Sequence, residues 1–320
     1  MSLLTYAAVQ GNIRARLAGL IDRETWARLM QAETASAADV APQVLRGRIA
    51  ATAQSLCRYL PHTSQELTAW YNRRFEIENL KAVLRAVHYR LNPKLAAASL
   101  VPLASGRRWQ ALMEAGSIGP VIDQLRDTPY ARPLKNAMER YSQEQRLFHL
   151  EIALDLFYFQ KLVQLIELQR GKDAAGARRF LGRSIEIQNF LWAYRYRIYG
   201  RMTPEEIINY TLHHAFHAGL DTVRRIALGS PLAVEAGRLG FEIPAGLSEV
   251  EALTEIELLA ARELFLRATQ AIQRPMFHLG GVLAYLWLLE SEVRDLVMLA
   301  EGKAIGLSGP EIAQRMVRAA

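Results

Sequence analysis

An eight-residue stretch occurs three times in this sequence, and a chain that repeats itself at long intervals builds its core from copies of one unit packed together. Arg73-Arg74-Phe75-Glu76-Ile77-Glu78-Asn79-Leu80 returns as Arg183-Ser184-Ile185-Glu186-Ile187-Gln188-Asn189-Phe190, and more loosely as Leu289-Glu290-Ser291-Glu292-Val293-Arg294-Asp295-Leu296. What survives is a Glu, an aliphatic residue, a polar residue, Asn or Asp, and a large apolar residue. The glutamates stand 110 and then 106 residues apart, which divides the 320 residues into three near-equal units, 1–104, 105–203 and 204–320. Beyond the motif the second and third copies stay aligned at 106, matching Arg197 with Lys303, Gly200 with Gly306, Pro204 with Pro310 and Glu205 with Glu311. Upstream, Trp26-Ala27-Arg28-Leu29-Met30 is echoed by Trp109-Gln110-Ala111-Leu112-Met113.

Those units are helical. Leu, Ala, Glu, Arg and Gln recur throughout, and no alternating run of β-branched residues is bounded by hairpin turns. The fold class is all-α, with long helices expected over 38–60, 64–91, 133–171, 174–199, 249–273 and 276–302. Stop signals fall at Asn92-Pro93, at Gly200 with Pro204, and at Gly302 with Gly306. The stretches 105–130 and 229–247 are broken by turn residues and read as connectors and short helices.

The repeated polar residues lie on the wrong face for a solvent-exposed site. In the first copy Glu76, Ile77, Asn79, Leu80, Val83, Leu84 and Val87 follow the spacing of the buried stripe of a helix. Glu76 and Asn79, and with them Glu186, Asn189, Glu292 and Asp295, are therefore expected to sit in hydrogen-bond networks that fix how helices pack. As catalysts they would form three separate sites, each without a His, a metal partner or a nucleophile at fixed spacing. A scaffold role is the simpler reading.

Other chemistry finds little support. The sharpest rival is the pair His213 and His217, spaced i, i+4 in Tyr210-Thr211-Leu212-His213-His214-Ala215-Phe216-His217, which could chelate a metal from one helix face. No Glu follows the first His, and a short polar helix with structural histidines is expected instead. Gly280-Gly281 lacks the Lys and Ser/Thr of a phosphate loop, so nucleotide hydrolysis is not encoded there. Trp192, Tyr194, Tyr196 and Tyr199 among Arg195, Arg197 and Arg201 read as core packing rather than a base-stacking platform. No catalytic residue, cofactor or metal is expected.

The net charge is +7 and suggests an acidic partner, but the cations are mostly Arg spread along helices, with no Lys-rich run for nucleic acid. Cys57 is the single cysteine, which excludes an internal disulfide. The N-terminus lacks the pattern of a signal peptide, and the longest apolar run, Val282 to Leu289, is far too short to span a bilayer. Work at a membrane would go through contact with something already inserted.

With the triplicated motif in hand, the chain resembles the C subunit of bacterial and archaeal V/A-type rotary ATPases, equivalent to the d subunit of the vacuolar enzyme. Tyr6, Asn12-Ile13-Arg14-Ala15-Arg16 and Leu20-Ile21 resemble that family's opening segment, Leu125-Arg126-Asp127-Thr128-Pro129-Tyr130 its Thr-Pro-Tyr turn, and Tyr285 to Ile312 its closing segment. The third unit departs from the pattern with Leu289 where the others have Arg73 and Arg183. The resemblance implies three pseudo-symmetric helical units arranged as a funnel around a central cavity. It also implies a non-catalytic rotor part, peripheral on the cytoplasmic face of the membrane, serving proton or sodium transport. Its partners would be the central-stalk subunits and the proteolipid ring, and the membrane stator subunit would be a further contact. Candidate docking cations are Arg14, Arg16, Arg73, Arg74, Arg183, Arg195, Arg197 and Arg201. The residues alone leave a second reading open, a soluble helical-repeat scaffold that binds partners on a concave face.

Overall fold

The computed structural model describes residue 20 and residues 40–104, 109–273 and 278–318. All regular structure among them is helical, as the sequence pattern requires. The first segment contributes α1 (Pro42–Cys57), α2 (His62–Asn72), α3 (Arg74–His88) and the one-turn α4 (Pro93–Ala96). Then come α5 (Trp109–Met113), α6 (Ile118–Gln124), α7 (Ala131–Glu144), α8 (Phe148–Glu167), α9 (Gly171–Ala177) and α10 (Arg183–Ile198). The last part holds α11 (Pro204–Asn209), α12 (Leu220–Ala227), α13 (Leu232–Arg238), α14 (Glu249–Gln273), α15 (Leu279–Ala304) and α16 (Gly309–Arg315). The three copies of the motif lie on α3, α10 and α15.

Two helices expected to be continuous are interrupted. The span 64–91 breaks at Arg73, whose N–H closes back on the Trp70 carbonyl at 2.9 Å. The cause lies on α8: the Trp70 indole N–H donates to the Tyr158 carbonyl at 2.9 Å, and the Tyr158 hydroxyl donates to the Tyr71 carbonyl at 3.0 Å. An acceptor of the last turn of α2 is thereby shared with another helix, and α3 restarts at Arg74. The span 133–171 breaks at Gln145, which takes a left-handed conformation with φ 53° and lets α7 and α8 fold against each other. By contrast, the helix expected over 174–199 continues, but α9 and α10 are joined by a π-helical turn, Arg178–Gly182.

One contiguous hydrophobic core runs from Val40 to Ala300 and draws on every long helix. The helices pack in succession: α1 on α2, α2 and α3 on α8, α8 on the π-helical turn that leads into α10, α10 on α14, α14 on α15, and α15 back on α1. Arg46 on α1 and Arg74 on α3 both reach Glu290 on α15, at 3.2 and 3.5 Å, so charge pairs as well as packing tie the first helices to the last long one. Among the described residues no helix is long and apolar enough to cross a membrane.

Candidate functional site

On α3 the residues Phe75, Ile77, Asn79, Leu80, Val83, Leu84, Ala86 and Val87 are buried, and Glu76 at the edge of this stripe is half-buried. Glu186, Asn189, Glu292 and Asp295 are all buried. Each Asn or Asp holds backbone 22 or 23 residues down the chain. Asn79 accepts from the Val101 N–H at 2.7 Å and donates to the Val101 carbonyl at 2.8 Å. Asn189 accepts from the Leu212 N–H at 2.7 Å and donates to the carbonyls of Leu212 and Ala218 at 2.9 and 2.6 Å. Asp295 accepts from the Val317 N–H at 2.8 Å, the Arg318 N–H at 3.2 Å and the Arg318 Nε at 3.1 Å. An amide carries both a donor and an acceptor and can meet both backbone groups of one residue, whereas a carboxylate only accepts. The change from Asn to Asp in the third copy thus accompanies a change from a carbonyl partner to a guanidinium.

The intervening chain is built alike. Asn92, Thr203 and Ser308 cap the short helices α4, α11 and α16, each followed by Pro at the first or second helical position. Val101, Leu212 and Val317 each lie nine residues beyond their cap. This register corrects the alignment of the second and third copies, which slips from 106 to 105 before the caps. The extra residue sits in the turn after α10. There Arg201, not Gly200, takes the positive φ of 48°, the conformation that Arg90 and Gly306 adopt at 53° and 78° in the other copies. Gly200 is needed for space: a Cβ there would lie 2.7 Å from the Tyr196 carbonyl oxygen.

The repeated glutamates also bind within the chain, to different partners. Glu76 accepts from the Tyr130 hydroxyl at 2.6 Å, and burial, followed by the nearby carboxylate, pushes that hydroxyl well above its ordinary pKa. Glu186 accepts from the His217 N–H at 3.1 Å, and Glu292 from the Leu20 N–H at 2.9 Å. The third copy therefore holds both early and late chain. A cleft of about 310 Å³ beside Glu76 is lined by Gln54, Cys57, Asn72 and Arg73, and one of about 260 Å³ beside Glu292 by Ile272, Tyr285, Leu289 and Arg318. Burial pushes the Cys57 thiol up to about 11, so it stays protonated at neutral pH.

Most of the candidate cations have partners inside the chain. Arg74 stacks on Tyr71 and Phe75 and pairs with Glu290. Arg183 binds Glu263 at 2.7 Å, the Leu239 carbonyl at 2.6 Å and Glu186 at 3.4 Å. Arg195 pairs with Glu257 at 2.8 Å, and Arg197 with Glu249 at 2.6 Å and the Ser230 carbonyl at 2.7 Å. Arg73 lies over the Trp70 ring, and Arg201 is exposed. Arg14 and Arg16 lie outside the described residues, as do Tyr6 and the Trp26 segment.

Tyr210 to His217 is not the short helix expected. After Asn209 the chain leaves helical geometry, Phe216 has φ 51°, and the i, i+4 spacing of His213 and His217 does not place them on one helix face. The Asn189 bonds to Leu212 and Ala218 on either side explain the irregular path. His213 Nε2 lies 2.9 Å from the Ile208 carbonyl, and the His217 ring is exposed. Among the described residues no three His, Cys, Asp or Glu side chains are grouped as a metal site would need.

What the motif positions define is a helical body whose repeated polar residues hold its own backbone. The family model described as the ATP synthase (C/AC39) subunit matches residues 35–315, and the chain belongs to that family. The family is a non-catalytic part of a rotary ATPase. The chain is 22% identical to the C subunit of the A-type ATP synthase of Methanosphaera stadtmanae, over 95% of this chain and 85% of that protein. It is 27% identical to the protein of the same name in Halorubrum lacusprofundi, over 78% of this chain and 73% of that one. For Methanocaldococcus jannaschii the figures are 24%, 81% and 67%.

Proposed function

We propose that this chain is the socket of a V/A-type rotor, the part that couples the central stalk to the membrane proteolipid ring during rotary proton or sodium transport. The family match across residues 35–315 carries the reading, and the relatives named as C subunits of A-type ATP synthases point the same way. The side chains support a mechanical rather than a chemical task. In all three copies the repeated acid and amide are occupied with backbone or hydroxyl donors of the same chain. Three units, bounded near residues 104 and 203, enclose a central hollow that takes the end of the stalk, and the whole funnel rests on the cytoplasmic face of the membrane. Clamped backbone makes each unit stiff, and stiffness is what torque transmission requires.

Mild detergent extraction of membranes tests this reading. The chain is expected to purify in fixed proportion with the ATPase subunits, including the ring. A chain recovered only free of them, or with unrelated soluble proteins, would instead be a helical scaffold.

A further inference from the structure

We propose that the segment Tyr89 to Leu95, at the end of α3 and the start of α4, is a contact tip for an anionic lipid surface. The case rests on comparing equivalent positions after the three motif helices. Three residues beyond their caps, α11 and α16 carry Glu206 and Glu311, which complete capping boxes with Thr203 and Ser308. The first copy has Leu95 there, 77% exposed. One residue further, Ile207 and Ile312 are buried, whereas Ala96 is only half-buried and α4 buries no residue at all. The first copy thus gives up both the acid and the apolar anchor of the short helix and turns a leucine outward.

The surroundings match that choice. Tyr89 and Leu91 are 63% and 50% exposed. Arg90, between them, and Lys94, beside Leu95, are exposed and meet no carboxylate among the described residues. No Asp or Glu occurs between Glu78 and Glu114, so nothing nearby in sequence offsets these cations. Arg90 holds a left-handed φ of 53°, as Arg201 does at 48° in the second copy, where Gly306 takes that conformation without strain in the third. A long cation is kept where a glycine would be easier.

An exposed turn carrying two leucines and a tyrosine, with two cations among them and no acid nearby in sequence, suits the boundary of an anionic bilayer. The leucines enter the acyl edge, the tyrosine lies at headgroup level, and Arg90 and Lys94 meet phosphates.

The purified full-length chain can be floated with phosphatidylcholine vesicles that contain or lack phosphatidylglycerol. Binding is expected only with the anionic lipid and is expected to weaken as salt rises. Leu95→Glu should lower partition by about tenfold or more and Arg90→Gly by about fivefold. Their thermal midpoints should hold or rise, because one supplies the missing capping-box acid and the other relieves the positive φ. Leu266→Glu, at a 60% exposed site on α14, should bind as the unmodified chain does. Absence of lipid-dependent binding, unchanged partition in both tip variants, or an equal loss in Leu266→Glu would overturn the proposal. So would capture by isolated ring protein without capture by vesicles.

Discussion

The ends of α3 and α10 descend from the same repeated stretch, yet they treat solvent differently. On α10 and α12 the cations Arg195, Arg197 and Arg225 have matched partners in Glu257, Glu249 and a fully buried Glu235, although Tyr199 and Arg201 in the turn after α10 are exposed as Tyr89 and Arg90 are. The short α11 that follows is closed by a capping box and anchored by Ile207. After α3, Tyr89, Leu91 and Leu95 face outward beside Arg90 and Lys94. What the two ends share is the clamp, Asn79 on Val101 and Asn189 on Leu212. The lesson is that the clamp is the constant mechanical element within this chain, and the loop it holds is free to vary. A backbone pinned at the N–H and C=O of one residue does not need its own apolar anchor.

The largest effect expected from breaking this comparison is at the second clamp. Asn189→Ala leaves an N–H and two carbonyls unpaired in a fully buried site and is expected to cost about 3 kcal/mol, measured by chemical unfolding. Asn79→Ala removes two bonds and should cost about 2 kcal/mol; an equal or larger loss there would mean the two clamps do not scale with their bonds. Next comes the charge contrast. Burial alone would raise the carboxyls of Glu235 and Glu263, but Arg225 with Ser230 and Arg238, and Arg183 with Arg267, hold them below the ordinary range. Carboxylates lowered by folding add stability above the unfolded pKa of about 4.3, and that stability disappears as pH falls through the folded values. Melting followed from pH 7 down through pH ~4 should therefore show an acid loss that Glu235→Gln reduces, with a cost of about 1 to 2 kcal/mol at neutral pH. The smallest effect is Leu95→Glu, which makes the first copy resemble the others and should stabilise the chain by under about 1 kcal/mol. A clear loss would show that Leu95 packs against something rather than facing solvent.

The repeat and the all-helical class were legible because periodicity and an eight-residue pattern survive without knowledge of contacts. So was the polar character of the buried stripe. The partners of that stripe were not: Asn79 and Asn189 bind backbone N–H and C=O groups, and Asp295 backbone N–H groups, 22 to 29 residues away, and a backbone group leaves no mark on residue type. The Thr203 and Ser308 capping boxes were visible as Ser/Thr-x-x-Glu and could have located the clamped segments and the one-residue slip. The break at Arg73 had no local signal, since neither Gly nor Pro is present and its cause is Tyr158 on another helix. Long-range pairing likewise hid the fate of Arg183, whose carboxylate partner Glu263 is 80 residues distant. The residues that would touch ring or stalk depend on surfaces the chain does not itself bury, and no internal spacing marks them.

The central claim, a non-catalytic coupling part, is tested most directly in membranes from cells lacking this chain, by measuring ATP hydrolysis and ATP-driven ion transport side by side. The account expects hydrolysis by the catalytic head to persist while transport is lost, and re-addition of the chain to restore it. Transport at the normal rate without the chain would contradict the account.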